Sequence, residues 1–163
     1  MLNKALEKEF ESQIRDHQAL IYKVCRMYAY STEDRQDLFQ EIVIHLWKSY
    51  PNFKGLSKFS TWMYRVAINT AITILRRKKD FITSYEPEHL PHVADEKSSD
   101  DEQWNQLQEA IARLNEIEKA IVMLYMEDRS YDEMEDILGI PQGNLRVKMS
   151  RIKDKLRQLT KNN

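Results

Sequence analysis

The chain has 163 residues, with 3 Gly, 4 Pro, 31% charged residues and a formal net charge of -1, which leaves room for one ordinary domain or two small ones. Abundant Leu, Ile, Glu, Lys and Arg point to an all-α protein, and the absence of a Gly-rich phosphate loop or an alternating strand pattern argues against nucleotide-loop chemistry and β architecture. No apolar run reaches membrane-spanning length, the segment MLNKALEKEFES has no signal-peptide core, and the single Cys25 permits no internal disulfide; the expectation is a soluble, cytoplasmic protein without membrane insertion.

The near-zero net charge conceals a division along the chain. Residues 1–79 carry 14 basic and 8 acidic residues, residues 80–119 carry 3 and 11, and residues 120–163 carry 8 and 7, giving +6, -8 and +1. Two basic regions separated by an acidic one suggest two nucleic-acid surfaces joined by a connector.

Periodicity predicts a first helix over about Leu2 to Tyr28, with Phe10, Ile14, His17, Ile21, Val24 and Tyr28 on one face. His17 reads as a boundary histidine, not a ligand. Ser31 and Thr32 followed by Glu33 and Asp34 start a second helix that runs to about Tyr50. Its core stripe is Leu38/Phe39, Ile42/Val43, Leu46 and Tyr50. Asp37, Gln40, Glu41, Ile44 and Lys48 fall on the other side, where spacing alone favours a solvated face, although Ile44 among charges is out of place there.

Pro51 and Gly55 then open a loop, and Ser57 or Ser60 is expected to cap a third helix. Phe59, Trp62/Met63, Val66, Thr70 and Ile74 make its predicted apolar stripe, while Lys58, Arg65, Asn69 and Arg76 share another face and Arg76, Arg77, Lys78 and Lys79 end it. Aromatics, an amide and cations are the groups that hold unpaired DNA. An amphipathic core helix with a basic end is the alternative for this stretch taken alone.

Asp80 to Gln103 contains Pro87, Pro91, Ser98, Ser99 and many acids, and reads as an extended linker. Glu86, Glu88, His89 and His92 lie in it without a spacing that would fix a metal, so no metal or other cofactor is expected. Helical periodicity returns at Trp104, breaks near Asn115 and resumes through Tyr125. Ser130, with Glu133 at capping-box spacing, starts a short helix ending at Gly139; Pro141 sets up a last helix from Gln142 to about Leu159. Short helix, turn and long helix make a helix-turn-helix. Leu145, Met149, Ile152, Leu156 and Leu159 face inward. Asn144, Arg146, Val147, Lys148, Ser150 and Arg151 flank that stripe at positions that meet base edges in such motifs. Lys153, Lys155, Arg157 and Lys161 are placed for phosphates or solvent.

Two runs together resemble one family. DRQDLFQEIVIHLWKSYPNFKGLSKFSTWMYRVAINTAITILRRKK is similar to region two, and LNEIEKAIVMLYMEDRSYDEMEDILGIPQGNLRVKMSRIKDKLRQL to region four, of the bacterial extracytoplasmic-function (ECF) sigma factors. The matching order, linker position and motifs span nearly the whole chain. The resemblance implies two small helical domains, over 1–79 and 104–163, joined by an acidic linker over 80–103. It implies binding to core RNA polymerase through Asp37, Gln40, Glu41 and Ile44. It implies capture and melting of the minus-ten promoter element by Phe53, Lys54, Lys58, Phe59, Trp62, Arg65, Asn69, Arg76 and Arg77, with a base extruded from the duplex. The minus-thirty-five element would be read by Asn144, Arg146, Val147, Lys148, Ser150 and Arg151. Trp62 also lies on the apolar stripe, where packing competes with contact. Glu135, Asn144 and Val147 depart from the family pattern, where Ala, Thr and a small polar residue are usual. No built-in autoinhibitory domain is expected; a separate anti-sigma partner is implied by resemblance. A stand-alone helix-turn-helix regulator is the alternative, and the first-half loop has no purpose in one. A helical enzyme ranks last, because the sequence offers no nucleophile–base pair.

Overall fold

The computed structural model describes residues 2–85 and 101–161. Among them are seven α-helices and no strand: α1 Leu2–Tyr28, α2 Thr32–Ser49, α3 Phe59–Tyr85, α4 Glu102–Ala112, α5 Glu116–Met126, α6 Tyr131–Leu138 and α7 Gln142–Lys161, with a 3-10 turn over Tyr50–Asn52. Backbone contacts divide the chain into two compact units, Met1–Leu90 and Pro91–Asn163. The expected linker is corrected at both ends. Residues 80–85 continue α3, and α4 starts at Glu102 because the Asp101 carboxylate accepts from the amides of Gln103 (3.0 Å) and Trp104 (3.4 Å). Residues 86–100, with Glu86, Glu88, His89 and His92, lie outside the described residues.

In the first unit α1, α2 and α3 pack pairwise on one another. α1 contributes Phe10, Ile21, Val24 and Tyr28 to the core, and α2 contributes Leu38, Ile42 and Leu46. Ser31 caps α2 by accepting from the Asp34 amide at 3.0 Å. The predicted stripe of α3 is too narrow and partly misplaced. Met63, Tyr64, Ala67, Ile68, Ala71 and Ile72 are the residues that disappear, while Val66 and Ile74 stay half-buried. The reason is tertiary: α3 is covered by both α1 and α2, so its buried arc exceeds that of a helix lying on one neighbour. Neither Ser57 nor Ser60 caps α3, since Lys58 precedes its first residue and the Ser57 hydroxyl donates instead to the Lys58 carbonyl (3.3 Å). Cys25 is buried, and burial pushes its thiol up to about 11 against the opposing charge of Arg35, so the group is an inert core residue.

In the second unit α7 is the hub, packed by α4, α5 and α6. Its Leu145, Met149 and Ile152 are buried with Ile121, Leu124, Met134 and Ile137. The break at Asn115 is a full capping box: the Asn115 side chain accepts from the Glu118 amide at 2.8 Å and the Glu118 carboxylate accepts from the Asn115 amide at 3.0 Å. Glu118 also receives Lys155 from α7 at 3.1 Å. Ser130 caps α6 as predicted, but the Glu133 carboxylate turns to Arg129 (3.2 Å) and does not close a box. Gly139 ends α6 with φ +71°, a conformation that a Cβ would strain.

Candidate nucleic-acid and polymerase interfaces

The loop between α2 and α3 is held at its base by aromatic rings. Phe53 meets Phe59 (5.5 Å between centroids) and Trp62 (5.1 Å), Phe59 meets Trp62 (5.4 Å), and Tyr50 stands edge-on to Phe59 at 6.3 Å. His17 of α1 contacts Phe59 at 5.1 Å and is itself satisfied through Nδ1 and the Gln13 carbonyl (2.9 Å). Burial first, then a hydrogen bond to Glu9 and that carboxylate's charge, push the Tyr50 hydroxyl above its usual range. The Tyr50 ring also meets Phe10 of α1 edge-on at 5.2 Å, which ties the loop base to that helix. Offset and edge-on rings of this kind add about 0.5–1.5 kcal/mol per pair to their area burial.

Trp62 belongs to that base. It is 9% exposed and enclosed by Tyr50, Phe53 and Phe59, so it builds the wall beneath the loop. Phe53 and Phe59 are half-buried. Lys54 and Lys58 are exposed on the loop, where Gly55 turns the chain at φ +72°. Leu56, unmarked by any periodicity, is 94% exposed beside that turn. The signal available in the sequence was local: an apolar residue inside Lys-Gly-Leu-Ser-Lys, where turns are normally polar.

Along α3, Arg65, Asn69 and Thr73 are exposed among enclosed residues, and Arg76, Arg77, Lys78 and Lys79 continue the exposed polar strip. The Thr73 hydroxyl donates to the Asn69 backbone carbonyl at 2.7 Å, and the exposed Asn69 side-chain amide carries donor and acceptor together. Lys78 is drawn to Asp34 of α2 at 3.6 Å. On α2 itself, Asp37, Gln40, Glu41 and Ile44 are all exposed, Ile44 at 45%. Glu41 has His45 one turn away at 3.9 Å.

In the second unit Asn144, Arg146, Val147, Lys148, Ser150 and Arg151 are exposed on the first half of α7. Arg146 lies over the Tyr131 ring, 5.0 Å from its centroid, and Gln142 donates to Asp132, so two side chains tie the start of α7 to α6. Lys148 and Arg151 have no ion pair or hydrogen bond among the described residues. The later cations differ: Lys153 reaches the Tyr125 hydroxyl (3.2 Å) and ring, Lys155 pairs with Glu118 and Arg157 with Asp154 (3.1 Å). The sequence placed these for phosphates or solvent; the fold engages them internally.

Among the described residues no His, Cys, Asp and Glu side chains gather to hold a metal ion, and no helix is long and apolar enough to cross a membrane.

The family model for Sigma-70 region 2 matches residues 13–81, and that for Sigma-70 region 4 matches residues 104–156. The ECF RNA polymerase sigma factor SigW of Bacillus subtilis is 29% identical over 152 residues, covering 85% of this chain and 81% of SigW. The chain belongs to the sigma-70 family, in its ECF group. This sigma factor is also similar to ECF sigma factor SigM of Mycobacterium tuberculosis, with 25% identity over 92% of this chain and 76% of SigM. Among solved structures, the sigma factor RpoE of Bartonella quintana, crystallised with the anti-sigma factor NepR, matches with a TM-score of 0.78 at 18% identity, over 94% of this chain and 98% of that one. CnrH, solved with the cytosolic domain of CnrY, matches at 0.65 and 15% identity, over 96% of this chain and 90% of its own. At those identities the likeness is one of fold. As a sigma factor the protein serves transcription initiation and is not an enzyme. The region 2 match contains α2, the loop and the polar strip of α3, and the region 4 match contains the exposed first half of α7.

Proposed function

We propose that this sigma factor acts in the cytoplasm, binding core RNA polymerase through Asp37, Gln40, Glu41 and Ile44 on α2 and directing it to promoters read at two elements. The supporting observation is the division of accessible groups between the units: a loop with half-buried Phe53 and Phe59 and exposed Lys54 and Lys58, and a strip with Arg65, Asn69, Arg76 and Arg77 in one, and an exposed cationic half-helix in the other. Half-exposed rings can stack on an extruded minus-ten base while the Asn69 amide meets its edge and the cations hold the strand. In the second unit, Arg151 and Ser150 suit base edges of the minus-thirty-five element. Val147, 50% exposed among polar residues, suits a thymine methyl. Lys148 suits a phosphate. The functional division is the unit through α3 for polymerase binding and minus-ten capture, the acidic stretch between α3 and α4 for a connector, and the unit from α4 onward for minus-thirty-five reading. An anti-sigma protein is a further partner on this reading, supported by the complexes in which RpoE and CnrH were solved.

The test is reconstitution of the purified protein with core polymerase and genome-wide mapping of transcript starts. Starts that share two spaced elements are expected. Tight duplex binding without polymerase, with no new starts, would favour a stand-alone regulator. On a promoter found this way, Arg151→Ala is expected to cost about 1–3 kcal/mol of discrimination at one upstream position. Arg146→Ala is expected to do the same if its guanidinium leaves the Tyr131 ring for a base. Unchanged preference in both, measured by competition between matched and mismatched promoters, would remove them from the reading set.

A further inference from the structure

We propose that Tyr131 is a positioning residue for promoter reading: its ring holds the Arg146 guanidinium by the face while the guanidinium edge meets a guanine of the minus-thirty-five element. The inference rests on the minus-thirty-five reading above and adds to it a residue of α6 and a base.

Among the described residues, Arg146 is the one already held of the exposed cations Arg146, Lys148 and Arg151 on the first half of α7. What holds it is a ring face, with 5.0 Å from the guanidinium carbon to the Tyr131 centroid. Asp132, Glu133, Glu135 and Asp136 all lie on α6, yet none of them pairs with Arg146 among the described residues. Asp132 accepts from Gln142 and Glu133 from Arg129 instead. The difference is chemical. A carboxylate would consume N–H groups of the guanidinium, whereas a ring attracts the cation through its π face and uses none of them. The donors stay available in one plane. Guanine offers two acceptors, N7 and O6, on its major-groove edge, and a guanidinium meets both with two N–H bonds.

The ring itself is fixed. Tyr131 is the first residue of α6, directly after the Ser130 cap, whose hydroxyl accepts from the Glu133 amide at 3.2 Å. The bond from Gln142 to Asp132 ties the first residue of α7 to the second of α6, so ring and guanidinium keep their spacing. A free arginine gives up rotamer freedom when it binds a base. Arg146 has given up part of it before DNA arrives. It therefore reads without leaving the ring; departure from the ring is the competing route.

The test uses full-length protein assembled with core polymerase, on duplex promoters taken from the mapped starts. Competition gives the affinity ratio of matched to mismatched promoters. Arg146→Ala should lower that ratio at one upstream guanine by about tenfold. Tyr131→Leu should lower it at the same position by about threefold and leave the other positions unchanged. Tyr131→Phe keeps the ring face and should keep the ratio. Added to Arg146→Ala, Tyr131→Leu should change nothing further. A ring with a purely structural role would fail that cycle, since its loss would persist without the arginine. A ratio unchanged by Tyr131→Leu, or raised by it because the ring had parked the arginine away from the base, would overturn the positioning role alone. Equal weakening of matched and mismatched promoters would overturn it in favour of a phosphate contact. If Arg146→Ala leaves discrimination intact at every upstream position, the reading of Arg146 fails and the role of Tyr131 with it.

Discussion

Reversing two charges on α2, Asp37→Lys with Glu41→Lys, is expected to weaken binding to core RNA polymerase at least about a hundredfold, or ~3 kcal/mol. Both carboxylates are exposed, and the buried side of α2 is carried by Leu38, Ile42 and Leu46, so the fold should tolerate the change. The loss arises because attraction across an interface is replaced by like-charge opposition, which costs several kcal/mol in a desolvated contact. Ile44→Ala should weaken the same equilibrium less, by loss of apolar area alone. Titration of labelled protein with core polymerase at two salt concentrations gives the measurement. The double variant should lose affinity mainly at low salt, and Ile44→Ala equally at both. Undiminished affinity of the double variant would make this face simply solvated, as its spacing alone suggested.

The second large effect is on stability. Trp62→Ala is expected to destabilise the first unit by about 3–5 kcal/mol, the range for deleting a buried large aromatic side chain. Removing the indole takes away the ring against which Phe53, Phe59 and Tyr50 all rest, so the loop should lose its anchor with the core. Thermal unfolding followed by near-ultraviolet circular dichroism, with hydrogen exchange to separate the units, should show the first unit opening early. The second unit, with its own core on α7, should be unaffected. A variant with unaltered unfolding but defective promoter opening would return Trp62 to the DNA-contacting set.

Much of the fold could be read locally. Ser31, Ser130 and Gly139 mark helix ends through bonds or backbone angles that involve only near neighbours. The buried positions Leu145, Met149 and Ile152 of α7 follow from period 3.6, while Leu156 and Leu159 further along the same stripe stay half-buried. The exposed positions on α2 and on the first half of α7 were also legible, being the complement of a clear stripe. What failed was the burial pattern of α3. α3 looked amphipathic with a single stripe, yet two helices cover it, and Tyr64, Ala67, Ile68 and Ala71 are buried without belonging to that stripe.

Side-chain commitments were equally out of reach. Lys153, Lys155 and Arg157 are chemically equivalent in the sequence to Lys148 and Arg151, one or two turns earlier. They differ because α5 places Tyr125 and Glu118 opposite Lys153 and Lys155. Exposed pairs of this kind contribute little to stability, but they decide which cations are engaged before any DNA arrives.

Helices, turns, charge blocks and family follow from the order of residues, because caps, periodicity and motifs act over a few positions of chain. Burial is set by what packs from elsewhere. That is why Trp62 belongs under the loop, why the exposed strip of α3 is so narrow, and why Leu56, with no helix or ring to cover it, stands in solvent between two lysines.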